Sequence, residues 1–261
     1  MSVDKHRAAF LADPYRAVRE AFSADCVDFA SAKSWRSNSM VLLEQRTPIS
    51  RQGKLGTCVL NASCDGVEML MQEPIELSRL DGYWKSRRLH GAEERDEGTY
   101  VSSAFEMWTK VGVCPESMWP YVEENVNVRP PLEALLEGAA NLMSIDSYRS
   151  ILTEGKDRVR DFKLALDMGK PIVAGFAVAD WWDDVGSTEK VYNPPRKEEV
   201  TGWHAVLTTG YREAPDGSIS FCLRNSWGEG WGVKGYAWVD AEYIAKPSVC
   251  EDIVVPLLSP R

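Results

Sequence analysis

The 261-residue sequence lacks the features that mark several common classes of protein. No apolar run approaches the roughly 20 residues that a membrane-spanning helix needs. The net charge is −9 and no cluster of Lys and Arg is present, which argues against nucleic-acid binding. The six cysteines include no C-x-x-C pair, so a zinc site is not expected. We therefore expect no membrane, nucleic-acid or metal partner.

The first residues also lack the pattern of a secretory signal peptide, because charged residues interrupt their apolar stretch. We therefore expect a cytoplasmic protein with reduced cysteines, most of them buried in the core. Export by another route and a location in a virion are the alternatives. A hydrophobic content of 44% with 26% charged residues is ordinary for a globular protein.

The pattern of apolar residues predicts an extension at 1–33, followed by a main domain at 34–261 that is helical first and β-rich second. One or two short helices are expected within 1–24, with Pro14 at a first helical position. Predicted helices lie at 56–73, Leu77–Leu89, Val101–Val111, Leu132–Met143 and Asp157–Met168. Predicted strands lie at Pro171–Val178, His204–Tyr211, Ser218–Arg224 and Tyr236–Asp240. Two subdomains, at about 50–150 and 151–245, would leave a cleft between them.

Cys58 lies at the start of the helix predicted at 56–73, where Thr57 or Gly56 is the expected N-cap. Unpaired backbone N–H groups and the helix dipole stabilise a thiolate at this position. Cys64 lies more than a turn further along, where this effect has faded, so we interpret it as a core residue. If Cys58 stood alone, a packed thiol would be the favoured interpretation.

A nucleophilic thiolate needs a general base nearby, and the sequence has only three histidines. His6 and His90 lie in charged surroundings and are expected to be solvated. His204 opens an apolar strand, where a lone histidine is more often a core residue. A third segment decides between these interpretations.

That segment is Arg224–Tyr236, RNSWGEGWGVKGY. It resembles the R-N-S-W-G-x-x-W-G-x-x-G-Y run of the papain family of cysteine peptidases at every fixed position. The resemblance implies that Asn225 orients the His204 imidazole and that Trp227 shields their hydrogen bond from water.

Further segments resemble the same family in the same order along the chain. TPISRQGKLGTC, which ends at Cys58, matches the family's proline, Q-G and G-x-C pattern. The resemblance implies that Gln52 and the backbone N–H of Cys58 stabilise the oxyanion. Asp96–Tyr121 and the stretch 162–178 are also similar to family segments. The separation of Cys58 and His204 is typical of papain-type enzymes.

The resemblance implies an α+β papain-like fold. A helical left subdomain would carry Cys58, and a β-barrel-like right subdomain would carry His204 and Asn225, with the active site in the cleft between them. The implied function is a thiol-dependent endopeptidase that acts on proteins or peptides through a Cys58 acyl-enzyme, with no metal or organic cofactor. One alternative is a transpeptidase or amidase acting on a dedicated protein. Another is a catalytically idle binding or structural component of a larger assembly.

The sequence departs from the family pattern at several positions. Leu55 replaces a cysteine, so the family's usual disulfide cannot form there. This form resembles prokaryotic or phage members. Trp203 precedes the histidine where other members often have Asp or Asn, and only Gly98 remains of the paired glycines along the substrate strand. The longer stretch at 183–201 is a candidate lid over the cleft.

Substrate specificity is the least determined property. The stretch Ser248–Pro256 resembles the family segment that floors the second specificity subsite, which would place Asp252 in that pocket, with Glu251 as the less favoured alternative. We expect the candidate substrate-binding residues to be Gly98, Trp203 and Asp252. An acid in the pocket would favour a basic substrate residue, whereas a surface acid would have no such effect.

Overall fold

The structure is a computed structural model that describes residues 10–11, 40–44, 46–71, 74–141 and 147–258. Within the extension, Phe10–Leu11 form a short strand, β1, so the helix predicted there is wrong at these two residues. The other residues of the extension, including Pro14 and Cys26, lie outside the described residues.

The first half of the chain forms a helical layer. Its helices are α1 (Cys58–Leu70), α2 (Arg79–Arg88), α3 (Val101–Lys110) and α4 (Leu132–Asn141). Every residue of α1 from Cys58 to Glu68 is buried, as its all-round apolar pattern predicts. Thr57 is the N-cap of α1 and Met71 is already extended, so the helix ends before Pro74. A short strand, β3 (Thr99–Tyr100), precedes α3 and pairs in parallel with β1.

The second half of the chain, together with one strand from the first half, builds an eight-stranded mixed sheet. Its strands are β2 (Met40–Leu42), β4 (Ser147–Ser150), β5 (Ile172–Val178), β6 (Val191–Tyr192), β7 (Gly202–Glu213), β8 (Ile219–Arg224), β9 (Tyr236–Asp240) and β10 (Cys250–Leu257). The order is β4-β10-β5-β7-β8-β9-β6, and β2 pairs with β7. Neighbours are antiparallel except β6 and β9. Apart from β2, these strands reach from 147 to 257, beyond the expected limits of 151–245.

Two hydrophobic cores meet at the central strands β5 and β7. Alternate residues of a strand point to opposite faces of the sheet. Val173 and Ala205 pack with α1, α2 and α3, whereas Ala174 and Val206 pack with α5 (Gly155–Asp167) and α6 (Ala241–Ala245). The central strands therefore connect the layer that carries Cys58 to the sheet that carries His204. Among the described residues, no helix has the length and apolar character needed to cross a membrane.

Candidate active site

Cys58 is the first residue of α1 and is fully buried. It belongs to the same apolar cluster as Ala205, which follows His204 on β7. Helix α1 as a whole contacts β7, the strand that carries the imidazole. Thr57 adopts the N-cap position, but its side chain does not cap the helix, and the first turn contains no acidic residue. The N–H groups at the start of α1 can thus act on a thiolate.

His204 lies opposite Phe176 in the pairing of β7 with β5, and its side chain is fully buried. Its Nε2 is 2.7 Å from Oδ1 of Asn225, the residue that follows β8. The amide oxygen can only accept, so Nε2 donates and the hydrogen bond fixes the tautomer and the ring orientation. Nδ1 is then the nitrogen that can exchange a proton with a substrate atom.

Aromatic rings enclose the histidine. Trp227 stacks on His204 with the ring centroids 4.8 Å apart, where the resemblance had placed it. Trp182 approaches His204 edge-on at 6.1 Å and is itself held by Trp231, whose Nε1 donates to the Trp182 carbonyl at 2.6 Å. Sequence reasoning missed Trp182, because it lies in a stretch that the family motifs did not cover. Trp182 and Trp227 are both buried, and both contact the imidazole.

Gln52 is fully buried and is tied to the segment that follows Asn225. Its backbone N–H donates to Ser226 O at 2.8 Å, and Ser226 Oγ donates to its Oε1 at 2.6 Å. Its Nε2 donates to Leu55 O at 3.0 Å, which uses one of the two amide hydrogens. The second hydrogen is available to a developing oxyanion. Ser226 lies inside the matched RNSW run, but its effect on Gln52 becomes visible only in the structure.

Buried ion pairs join the elements behind the site. Asp65 of α1 accepts from Arg224 Nε at 2.7 Å and from Arg79 Nη2 at 2.6 Å. Glu68, one turn further, accepts from Arg79 Nη1 at 2.6 Å. Burial opposes the charge on Arg79, but Glu68 and Asp65 outweigh it and raise its pKa above the ordinary arginine value. Because Arg224 precedes Asn225, this network links the helix of Cys58 to the strand end of the orienting amide.

The predicted substrate-binding residues take three different positions. Gly98 is buried with φ at +89°, next to β3, and its N–H donates to Tyr83 Oη at 2.9 Å. Trp203 is half-buried and opposes Ala177 across β5 and β7. Asp252 is buried with φ at +49°.

Asp252 lies between Glu251 and Val254, where the register of β10 against β5 shifts. Val254, two residues after Asp252, belongs to the same apolar cluster as Val101 and helices α1, α2 and α3. The role of Asp252 in a subsite therefore stays a prediction.

The candidate lid at 183–201 contains β6 and a short 3-10 helix, Lys197–Glu199. Tyr192 of β6 stacks on Trp181 at 5.1 Å. Among the residues that the structure describes, no group of three His, Cys, Asp or Glu side chains is arranged to hold a metal ion.

A family model of the papain family cysteine proteases matches residues 87–256, which include His204 and Asn225. The chain belongs to the papain family of cysteine proteases. It is therefore a cysteine peptidase, a class of hydrolases. The matched range begins after Gln52 and Cys58, so their assignment depends on the residue pattern and on the geometry described above.

Two papain-family comparisons extend over most of the chain. An uncharacterized peptidase C1-like protein of Acanthamoeba polyphaga mimivirus is 32% identical over 223 residues, covering 82% of this chain and 70% of the viral protein. Xylellain, a cysteine protease from Xylella fastidiosa, has a TM-score of 0.82 at 24% identity and covers 100% of both chains. The structural likeness confirms the papain-like α+β fold.

Plant members of the papain family match over a smaller part of their own length. Vignain of Phaseolus vulgaris is 24% identical over 227 residues, which is 85% of this chain but 57% of the plant protein. The chain thus spans little more than half of this relative.

Proposed function

We propose that this protein is a thiol-dependent endopeptidase that hydrolyses peptide bonds through an acyl-enzyme on Cys58. The observation that carries the proposal is the 2.7 Å hydrogen bond between His204 and Asn225, beside a helix start that carries a buried cysteine. The partner of Gln52, Ser226, follows Asn225 directly, so the oxyanion donor and the base share one anchoring segment.

The proposed reaction uses these groups in order. The Cys58 thiolate attacks the carbonyl carbon of the scissile bond, and the electron pair moves to the carbonyl oxygen. Gln52 Nε2 and the Cys58 N–H stabilise that oxyanion. The His204 imidazolium donates the Nδ1 proton to the leaving nitrogen as the tetrahedral intermediate collapses to a thioester. Water then attacks the thioester, with His204 accepting its proton, and the acid product leaves.

Hydrolysis of a protein substrate such as casein tests the proposal, with Cys58→Ser as the inactive control. Cleavage by wild type at internal peptide bonds, lost in Cys58→Ser, is the expected result. Adding an amine nucleophile distinguishes hydrolysis from transfer, because a ligated product reveals a transpeptidase. A stable complex without cleavage would instead indicate an idle binding component.

We also propose that the buried acid at Asp252 favours a basic residue in the second specificity subsite, as the family resemblance suggests. Two peptides that differ only in Arg or Leu at that position test this preference. Wild type is expected to cleave the Arg peptide faster, and Asp252→Ala is expected to lose that preference. Equal rates on both peptides in wild type would contradict the assignment.

We further propose that the amino-terminal extension occupies part of the cleft. β1 pairs with Thr99–Tyr100, next to Gly98, and its backbone also approaches β7, the strand of His204. Cys58 and His204 both have 0% of their surface exposed. A strand that bridges the two sides of the cleft accounts for this burial.

A further inference from the structure

A chain of hydrogen bonds connects the Gln52 loop to the first turn of α1. Tyr121 Oη donates to the Gln52 carbonyl at 2.9 Å and lies 2.6 Å from Thr57 Oγ1. Asn61 Nδ2 donates to the same Thr57 oxygen at 3.0 Å. Tyr121 is far from both partners in sequence, in the segment between α3 and α4. It therefore joins the two places that carry the proposed oxyanion donors.

The direction of each hydrogen bond in this series follows from whether its groups can donate or accept a hydrogen. The Asn61 amide nitrogen can only donate, and the Tyr121 hydroxyl hydrogen is committed to the Gln52 carbonyl. The Thr57 hydroxyl must then donate to Tyr121 Oη. Burial raises the pKa of Tyr121 above the ordinary tyrosine value, so its phenol keeps its proton near neutral pH. Asn61 thus donates to Thr57, Thr57 donates to Tyr121, and Tyr121 donates to the Gln52 carbonyl.

These hydrogen bonds keep the Thr57 side chain from capping the start of α1. A threonine at the N-cap normally accepts a hydrogen bond from a backbone N–H of the first turn. Here the Thr57 hydroxyl is engaged with Tyr121 and Asn61, and its side chain makes no cap hydrogen bond. The Thr57 hydroxyl therefore occupies none of the backbone N–H groups of the first turn, the groups by which a helix start can bind an anion.

We propose that Tyr121 and Thr57 are positioning residues for the oxyanion site. Tyr121 sets the distance between the Gln52 loop and the Cys58 N–H, and it keeps the Thr57 hydroxyl away from the helix start. Neither side chain needs to touch the substrate. This inference rests on the proposed function, because it assigns a role within the same reaction.

Two probes of the full chain separate an oxyanion effect from a general one. A peptide aldehyde adds to the Cys58 thiolate, and its oxygen becomes a hemithioacetal oxygen in the oxyanion site. Iodoacetamide alkylates the same sulfur by displacing iodide, so no oxyanion forms. In Tyr121→Phe we expect the aldehyde Ki to rise about tenfold and kcat to fall by a similar factor. KM and the iodoacetamide rate should stay within about twofold of wild type.

Three further variants control the experiment. Tyr211→Phe removes a buried hydroxyl that donates to Asp167 at 2.8 Å, away from the Gln52 loop, and should leave both probes unchanged. Thr57→Val should reproduce the effect of Tyr121→Phe, and Thr57→Ser should restore wild-type behaviour. If Tyr121→Phe does not fold, the Thr57 pair decides the question.

The reaction of wild type with the two probes distinguishes failure of the positioning role from failure of the proposed function. If wild type reacts with both probes but Tyr121→Phe matches it, or if both probes weaken equally, the positioning role is wrong. If neither the full wild-type chain nor the wild-type chain that starts at Ser34 forms an adduct, the proposed function fails and this inference fails with it.

Discussion

At the scale of single residues, the candidate site depends on hydrogen bonds that each fix one orientation. Asn225 orients His204, and Ser226 orients Gln52. Asn225 and Ser226 both lie in the run RNSW, so one short segment is hydrogen-bonded to both His204 and Gln52. The family resemblance pointed to Cys58, His204, Asn225 and Gln52 as the candidate site, and their roles stay predictions. It did not reveal Ser226, because a serine in such a run has no visible partner until the chain folds.

Replacing the orienting amide should slow the reaction without unfolding the protein. In Asn225→Ala the imidazole loses the hydrogen bond that selects its tautomer, so we expect kcat/KM to fall about 10²-fold. Steady-state hydrolysis of a peptide substrate measures this change. Asn127→Ala, which removes an exposed amide that accepts from Arg87 Nη1 at 2.9 Å, serves as the control. Equal activity in the two variants would contradict the role of Asn225.

At the scale of secondary-structure elements, hydrophobic periodicity predicted most of the long helices and strands. The helix predicted at Leu77–Leu89 forms at Arg79–Arg88, and the strand predicted at Tyr236–Asp240 is confirmed. The sequence did not predict β2 or β4, because short strands are stabilised by pairing with β7 and β10 rather than by their own residues. The strand at Phe10–Leu11 could not be predicted for the same reason, because it is stabilised by pairing with β3.

The contact between α1 and β8 could not be predicted for a related reason. Asp65 and Arg224 are 159 positions apart, and neither residue has a local signal that names its partner. The pair is nevertheless central to the site, because α1 carries Cys58 and the end of β8 leads into Asn225.

Breaking this pair should destabilise the protein strongly. Asp65→Ala leaves Arg224 and Arg79 buried with less negative charge beside them, so we expect the free energy of unfolding to fall by about 3–5 kcal/mol. The control Asp157→Ala removes the ion pair of Asp157 with Arg160, whose charged atoms are 2.9 Å apart. The side chains of Arg160 and Asp157 are 45% and 66% exposed, whereas those of Arg224 and Asp65 are 1% and 2% exposed. That control should lose less than about 1 kcal/mol. Urea unfolding measures both values, and equal losses would contradict this account of the network.

At the scale of the whole molecule, two cores share the central strands β5 and β7, and the proposed catalytic residues are carried by elements that pack into these cores. The helical layer supplies Cys58, and the sheet supplies His204 and Asn225. The α+β class could be predicted from the order of helices and strands. The position of the extension could not, because its pairing with β3 depends on a strand that exists only in the folded chain.

Removing the extension should open the cleft. A chain that starts at Ser34 lacks β1, so we expect Cys58 to react faster with a thiol inhibitor than in the full chain, by about tenfold or more if β1 binding is worth at least 1.4 kcal/mol. The rate of adduct formation measures the difference. Melting curves of the two chains show whether the shorter chain is folded. An unchanged rate in a folded shorter chain would show that β1 does not restrict access.

Three other buried cysteines have raised thiol pKa values, so a thiol reagent can distinguish a reactive Cys58 from them. The five cysteines at described positions form no disulfide with one another. Burial raises the pKa of Cys114 and Cys222 to about 12, and it raises the pKa of Cys64 well above the ordinary cysteine value. These three groups therefore stay protonated near neutral pH, where a thiol is a poor nucleophile.

Active-site titration with an epoxysuccinyl thiol inhibitor, read by intact-protein and peptide mass spectrometry, tests the central claim most directly. At neutral pH the account predicts one adduct per chain on Cys58, and loss of that adduct in His204→Ala. Adducts spread over Cys64, Cys114 and Cys222 as readily as Cys58 would contradict it. So would the absence of any adduct from both the full chain and the chain that starts at Ser34.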